Sequence, residues 1–247
     1  MRRLRNLSTA PVLAAALAVA GCGGIIPSGQ SPSGGAVSRT STAPAPSRVA
    51  LPPIQRVAST QRQSLVHTSD NSCIAELNAA GASFDPLPDS YGEKGCSKLG
   101  TVRLTSLSGD GAQFGVSNVS ALKCSTASTF NNWVRFGVDR AARQILGSGL
   151  ERVETMGTYA CRNVAGTERR SAHARAEAID VSAFVLNDGR RIVLKSDWHG
   201  GSAAEREFLR VVHKSACKRF GTVLGPAYNS AHADHFHLEG TGAKFCR

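Results

Sequence analysis

The amino-acid sequence predicts an α+β domain over residues 69–247, with a small, mostly antiparallel sheet flanked by helices. Three observations lead to this fold class. Two stretches have the apolar spacing of amphipathic helices, several β-like runs lie between them, and six cysteines fall within this part of the chain. The cysteines indicate disulfide bonds that would staple the domain.

The helices are predicted from apolar spacing and from one capping pattern. Between Ser125 and Leu146 the apolar side chains recur mostly three or four positions apart, as they do on one face of a helix. The segment Ser202-Ala203-Ala204-Glu205 is a capping-box pattern that begins a second helix. The inner face of this second helix would carry Phe208, Leu209, Val212 and Ala216. A shorter helix is predicted near Ser72–Ala80.

The strands are predicted from β-like runs bounded by turn residues. Three such runs are Arg152–Cys161, Ala178–Leu186 and Arg191–Lys195. Asn187-Asp188-Gly189 joins the last two runs and predicts a hairpin turn. A last short strand would cover His235–Glu239.

The cysteines are typical of an exported, disulfide-bonded protein. Apart from Cys22, they are Cys73, Cys96, Cys124, Cys161, Cys217 and Cys246. An even number in an exported chain indicates disulfides, although six cysteines allow many pairings and the sequence does not choose among them. Proximity along the chain favours 73–96, 124–161 and 217–246. No C-x-x-C pair is present, so a metal ion would need other ligands.

Residues 1–22 have the pattern of a secretory signal: three arginines, a short apolar run and small residues at the end. The ending Val19-Ala20-Gly21-Cys22 resembles the lipobox of bacterial lipoproteins, which implies lipidation of Cys22. An ordinary cleaved signal that contains a cysteine is the alternative. Gly23 follows the cysteine instead of the aspartate that favours inner-membrane retention, so we expect an exported lipoprotein on the periplasmic face of the outer membrane.

Residues 23–68 are rich in Pro, Ser and Gly and predict a disordered tether, because they contain too little apolar surface to bury. The formal charge of +11 is unevenly distributed. Residues 1–68 contain seven arginines and no acidic residue, whereas residues 69–247 hold 22 basic and 18 acidic side chains. The basic signal therefore lies in the leader and the tether, which excludes a dedicated nucleic-acid-binding protein.

Two polar segments, 171–180 and 232–239, contain the candidate chemistry. In a strand, alternate side chains share a face, so His235 and His237 would point away from Phe236 and Leu238. By the same alternation Asp180 would lie opposite the apolar face of its own strand. Asp180, His237 and His173 from the preceding loop could then hold one Zn²⁺ per chain with a fourth position left for water, as in catalytic zinc sites. His235 lies on the right face to act as a base. A coincidental polar cluster and a non-catalytic metal site are the alternatives.

These segments resemble the S-x-H-x-x-G-x-A-x-D and H-x-H signature of the LAS-type zinc peptidases, which include D-Ala-D-Ala carboxypeptidases and murein endopeptidases. Residues 73–247 as a whole resemble the bacterial extensin-like C-terminal domain, with landmarks such as Tyr159-Ala160-Cys161-Arg162 and the terminal Cys246-Arg247. The resemblance implies a LAS/hedgehog-type fold. Ala176 stands where the signature has glycine, and its Cβ would resist a positive φ.

The resemblance also implies a role for each matching residue. The implied zinc ligands are His173, Asp180 and His237. His235 would be the general base, and Arg162 would bind the substrate and the developing oxyanion. Ser171 would hydrogen-bond the substrate, and His232 would support the site or serve as a second base.

The expected function is that of a lipid-anchored, zinc-dependent peptidase that hydrolyses peptide stems or cross-links of peptidoglycan. Its expected partners are peptidoglycan peptides and the membrane that holds its anchor. The alternative is a non-catalytic lipoprotein that binds or scaffolds the cell wall and has a structural or vestigial metal site. Whether a D,D or an L,D bond would be cut stays open.

Overall fold

A large mixed sheet forms the centre of residues 68–247, the part of the chain that the computed structural model describes. The strands are β1 Ser83–Pro86, β2 Ser90–Tyr91, β3 Ser97–Lys98, β4 Thr101–Ser108, β5 Gln113–Val116, β6 Leu122–Lys123, β7 Leu150–Gly157, β8 Ala178–Leu186, β9 Arg191–Val193, β10 Thr222–Leu224, β11 Phe236–Glu239 and β12 Phe245–Cys246. Ten of them form one sheet in the order β1-β4-β5-β7-β8-β11-β10-β12, with β6 paired to β4 and β9 paired to β8. Strands β2 and β3 form a separate hairpin.

The sheet confirms the predicted α+β class but not the predicted size. Most neighbouring strands are antiparallel, as expected, whereas β5–β7 and β10–β12 are parallel. The expectation of a small sheet is wrong because residues 83–123 supply β1, β4, β5 and β6 to the same sheet. Strand β8 lies between β7 and β11 and is almost entirely buried, so it forms the middle of the sheet.

The helices are α1 Thr68–Ala79, α2 Cys124–Trp133, α3 Leu194–Gly200 and α4 Ala203–Cys217. The predicted long helix begins as α2 and continues as π-helical turns over Val134–Asp139 and Ala142–Leu146. It ends at Gly147, whose φ of 71° is the left-handed value at which glycine commonly terminates helices. The capping box at Ser202 is confirmed: Ser202 Oγ accepts from Glu205 N, and the Glu205 carboxylate accepts from Ser202 N.

Two of the predicted strands extend too far along the chain. Strand β7 ends at Gly157, before the predicted Cys161, and β9 ends at Val193, before the predicted Lys195, because α3 begins at Leu194. The side chain of Asp197 explains the second difference, because its Oδ2 accepts a hydrogen bond of 2.7 Å from Val193 N and so caps the first turn of α3. The hairpin turn before β9 forms as predicted, with Gly189 at a φ of 85°.

Three disulfides staple the domain, but two of the predicted pairings are wrong. The bonds are Cys73–Cys124, Cys96–Cys161 and Cys217–Cys246, so the pairings 73–96 and 124–161 are incorrect and 217–246 is confirmed. Helix α1 packs against α2, which brings Cys73 to Cys124 although Cys96 is closer along the chain. The fold therefore decides these pairings through contacts that chain proximity does not reveal.

Residues 1–67 are outside the described part of the structure, and so are the predicted signal, the Cys22 anchor and the tether except for its last residue, Thr68, where α1 begins. Within residues 68–247, no helix combines the length and the apolar character that crossing a membrane requires.

The core is built around Trp133, whose indole Nε1 donates to the Val212 carbonyl of α4 at 3.1 Å. Its ring lies edge-on to Phe184 and Phe220, and all three side chains are fully buried. The π-helical turn after Trp133 approaches α4 closely at Gly137. A Cβ added at Gly137 would contact the side chain of Ser215 and would lie 3.1 Å from Trp133 Cδ1.

We expect Gly137→Ala to lower the free energy of unfolding by about 1–3 kcal/mol, because the added methyl overpacks the contact with α4. Denaturant unfolding followed by circular dichroism measures this change. Gly200→Ala is the matched control, since Gly200 also lies in a helix but a Cβ there would have no heavy atom within 4 Å. Equal stability of the Gly137→Ala protein and the parent would contradict the close packing at this position.

Candidate metal centre

The centre is built on the pairing of β8 with β11. These strands are antiparallel, and their register places His237 directly opposite Asp180. The neighbours Ile179, Val181 and Leu238 point to the other face and are fully buried in the core. Asp180 and His237 therefore share one face of the sheet, as the alternation of side chains predicts, and His237 Nδ1 lies 2.8 Å from Asp180 Oδ1.

His173 reaches the same point from a tight turn before β8. The turn is a 3₁₀ helix over Ala172–Arg175, and Ser171 begins it by accepting a hydrogen bond from His173 N. Ala176 ends the turn with a φ of 54° and a ψ of 28°. Alanine therefore replaces the signature glycine and still adopts the left-handed conformation. Two backbone hydrogen bonds help to fix this conformation: Ala176 N donates to His173 O, and Lys123 N donates to Ala176 O.

The three side chains meet within a hydrogen-bonding distance of one another. His173 Nε2 lies 3.1 Å from Asp180 Oδ2 and 3.2 Å from His237 Nδ1. All three residues are buried. In a tetrahedral zinc site, bonds of about 2.0–2.2 Å separate neighbouring ligand atoms by roughly 3.3–3.5 Å. The observed separations are slightly shorter, and the set of two nitrogens and one carboxylate oxygen is one that zinc commonly binds.

The outer nitrogens of His173 and His237, the two candidate ligand histidines, are both engaged by the protein. His173 Nδ1 contacts the Thr158 carbonyl, which can only accept, so this nitrogen must carry its proton. His237 Nε2 lies 2.9 Å from Glu239 Oε1 and donates to that carboxylate. These contacts leave His173 Nε2 and His237 Nδ1 to face each other and Asp180. Partners of this kind orient histidines that bind metals and raise their basicity.

The converging groups need a positive charge between them, because the carboxylate and the inner nitrogens are all electron-pair donors. Burial raises the pKa of Asp180, but its contacts with His173 and His237 outweigh burial and hold the pKa well below the ordinary value. Burial lowers the pKa of His237, yet Asp180 and Glu239 outweigh it and raise the pKa to about 9. A proton on His237 therefore satisfies the centre when no metal ion is bound, and a cation would replace that proton.

His235 lies beside the three candidate ligands. Its Nδ1 lies 2.8 Å from Asp234 Oδ1 and donates to that carboxylate, which leaves Nε2 to face the centre at 3.7 Å from Asp180 Oδ1. This pair gives Asp234 a function that the sequence did not reveal, although Asp234 adjoins His235 along the chain. An imidazole held by a carboxylate in this way is oriented to accept a proton at its other nitrogen.

His232 lies beside His235 and His237 at the edge of the centre. The His232 ring centroid is 5.2 Å from that of His235 and 5.8 Å from that of His237. Burial, the neighbouring histidines and Arg162 together lower the pKa of His232 to about 4, although Asp180 acts in the opposite direction. His232 is therefore neutral at pH 7. Arg162 is exposed, and its guanidinium makes no hydrogen bond or ion pair within the described residues.

Ser171 lies at the start of the turn that carries His173. It is buried, and its Oγ accepts a hydrogen bond from His173 N at 3.3 Å, so it supports the turn that holds His173. Contact with a substrate stays a prediction. Glu239 is half-buried against His237, a contact that the sequence analysis did not predict. The alternation in β11 could have identified it, since Glu239 follows His235 and His237 on one face.

A second group of close ligand-type residues exists on α4 and β12: His213, Cys217 and Cys246. Its two cysteines form a disulfide with each other and are not available to a metal ion. The His213 Nε2 atom lies 3.2 Å from the carbonyl of Arg247.

The comparison with protein families agrees with the resemblance noted in the sequence. A family model described as Extensin-like protein C-terminus matches residues 71–247. The chain belongs to this family. Every residue of the candidate metal centre lies within the matched part of the extensin-like chain. No curated protein sequence and no solved structure matches the chain, so kinship with the LAS-type peptidases stays a prediction.

We expect Glu239→Gln to weaken zinc binding about 10–100-fold, because the amide cannot replace the carboxylate that orients His237 and raises its basicity. Competition with a chromophoric chelator measures the affinity. Glu207→Gln, an exposed change on α4, is the matched control and should bind zinc as the parent does. Unchanged zinc affinity in the Glu239→Gln protein would exclude this role for Glu239.

Proposed function

We propose that this extensin-like protein is a zinc-dependent peptidase that hydrolyses peptide stems or cross-links of peptidoglycan. The observation that supports this proposal most strongly is the convergence of His173, Asp180 and His237. Beside them lies His235, which the carboxylate of Asp234 orients. The resemblance of the two segments to the LAS-type signature supports zinc and a peptide substrate. The signal-like pattern of residues 1–22 supports a substrate outside the cytoplasm.

His173 and His237 would each contribute one ring nitrogen to the metal, and Asp180 would contribute a carboxylate oxygen. Zinc bound by these groups supplies a Lewis acid that lowers the pKa of water and polarises a substrate carbonyl. The protein fixes the donors before binding: the Thr158 carbonyl holds one ring and the Glu239 carboxylate holds the other. This preorganisation is what a precise metal site requires.

His235 would act as the general base. Its Nε2 faces the centre because Asp234 holds Nδ1, so Nε2 can take a proton from the water that attacks the peptide carbonyl. The same nitrogen can then return the proton to the leaving amine as the C–N bond breaks. His232 is neutral at pH 7 and lies against His235, so it can support this proton transfer without adding a competing charge.

Arg162 would bind the substrate and stabilise negative charge on the carbonyl oxygen. Its guanidinium has no ion-pair partner in residues 68–247, and its positive charge contributes to the lowered pKa of His232, which supports a position near the centre. A fixed cation directed at a developing oxyanion is among the strongest contributions to this kind of catalysis. Ser171 would add a hydrogen bond to the substrate.

We further propose that Cys22 is lipidated and that residues 23–68 tether the domain to the periplasmic face of the outer membrane. The lipobox-like ending Val19-Ala20-Gly21-Cys22 supports the anchor, and the Pro, Ser and Gly content supports the tether. An anchored domain on a flexible chain could reach the peptidoglycan beside that membrane.

We expect His235→Ala to lower the rate of muropeptide cleavage about 100–10,000-fold while zinc binding is retained, because the base is lost and the ligands are not. His237→Ala should lose both zinc binding and cleavage. Full-length protein is incubated with isolated muropeptides, with and without a chelator, and the products are identified by mass spectrometry. His199→Ala, an exposed change on α3, is the control for loss of a histidine.

Absence of any zinc-dependent product, with His237→Ala behaving as the parent does, would contradict the peptidase. Zinc binding without cleavage would instead favour the non-catalytic wall-binding lipoprotein.

A further inference from the structure

A second candidate ligand site lies beside the segment that holds His173. It is a cavity of about 350 Å³. Tyr159, which lines it, directly follows Thr158, whose carbonyl contacts His173 Nδ1. The volume lies at the low end of the range of roughly 300–1,000 Å³ that is typical of small-molecule sites. The cavity is therefore large enough for a small organic ligand, and it is not needed to build the candidate metal centre.

Two basic side chains and no acidic one line this cavity. The Lys98 ammonium lies 5.4 Å from the centroid of the Tyr159 ring and makes no ion pair with any described residue. Arg103 is exposed on β4, and within residues 68–247 its guanidinium has neither a hydrogen-bond partner nor an ion-pair partner. Asp85 lies opposite Arg103 in the register of β1 and β4, yet their side chains form no ion pair. Two cations that form no ion pair within the described residues lie at one cavity, and this favours an anionic ligand.

The accessible surface of the cavity is mostly apolar, with a small polar part. Ser90, Ser120 and Tyr159 are the neutral polar residues of the lining, and Ser120 Oγ is held 3.1 Å from Thr158 Oγ1. Apolar surface comes from Leu87, Pro88 and Ala121. An inorganic anion would leave that apolar surface unused. A ligand with a carboxylate at one end and an apolar body would contact both kinds of lining, and arginine binds carboxylates through paired hydrogen bonds.

The walls of the cavity are held in place by covalent and backbone links. The Cys96–Cys161 disulfide joins the chain two residues before Lys98 to the chain two residues after Tyr159. A backbone hydrogen bond of 2.9 Å from Leu87 N to Thr101 O fixes the part of the wall that contains Leu87. A cavity fixed in this way loses little entropy when a ligand binds.

We propose that this cavity binds a small organic carboxylate, with Lys98 and Arg103 holding the carboxylate and Leu87, Pro88 and Ala121 contacting the apolar part. The proposal is independent of the proposed peptidase function, because none of these residues belongs to the metal centre.

The test uses 4-methylpentanoate as the probe, since it has a carboxylate and an apolar body but no peptide bond. Full-length protein is treated with a chelator, and binding is followed by the shifts of the Ser120 and Tyr159 amide resonances. We expect saturable binding, about tenfold weaker for 4-methylpentanamide and about tenfold weaker in Lys98→Met and in Arg103→Met. Inorganic phosphate should bind more weakly than the probe.

Two control variants test whether the probe binds at this cavity or at another basic residue on the surface. Lys195→Met removes an exposed lysine of α3 that does not line the cavity, and Arg162→Met removes an exposed arginine that the proposed function assigns to the peptide substrate and that does not line the cavity either; both proteins should bind the probe as the parent does. Circular dichroism and the unfolding temperature confirm that each variant folds. Equal binding of the amide, tighter binding of phosphate, binding unaffected by Lys98→Met and Arg103→Met, or binding lost in Arg162→Met would each overturn the proposal.

Discussion

The pairing of Asp180 with His237 across β8 and β11 is the interaction on which the candidate centre depends. It joins residues 57 positions apart, and the core fixes it from the opposite face. Ile179 and Leu238, the next pair in the register, are fully buried, so a slip of one residue would place apolar side chains in the centre and the carboxylate in the core. The burial that stabilises the sheet therefore also sets the distance between these two groups.

A second constraint acts on the protons of the ligand histidines. The Thr158 carbonyl and the Glu239 carboxylate hold the outer nitrogens of His173 and His237, so the inner nitrogens face the carboxylate of Asp180. Three electron-pair donors at such short distances repel one another unless a cation lies among them. A raised pKa at His237 is the consequence when that cation is a proton. Binding of a metal ion would use the same geometry, which links the acid–base behaviour of the centre to its proposed cofactor.

Local patterns in the sequence predicted more of the centre than of the surrounding fold. Strand alternation placed Asp180 and His237 on one face, and the capping box located α4, because both signals depend on neighbouring residues. The size of the sheet was missed because strands such as β6 are only two residues long and show no period.

Two disulfides were assigned wrongly because Cys73 meets Cys124 through helix packing. Glu239 and Asp234 were missed as partners of histidines, since their contacts depend on side-chain orientation. At Ala176, hydrogen bonds with the surrounding backbone hold a left-handed φ and so outweigh the steric penalty of its Cβ.

The central claim is that His173, Asp180 and His237 form one metal-binding centre. Anomalous diffraction at the zinc edge, from crystals of the zinc-loaded full-length protein, tests this claim most directly. The account predicts a single strong peak within bonding distance of His173 Nε2, His237 Nδ1 and the Asp180 carboxylate, about 2.0–2.2 Å from each. Two results would contradict the claim: no peak at that position although the three side chains are still in contact, or a zinc peak elsewhere on the chain and none at that position.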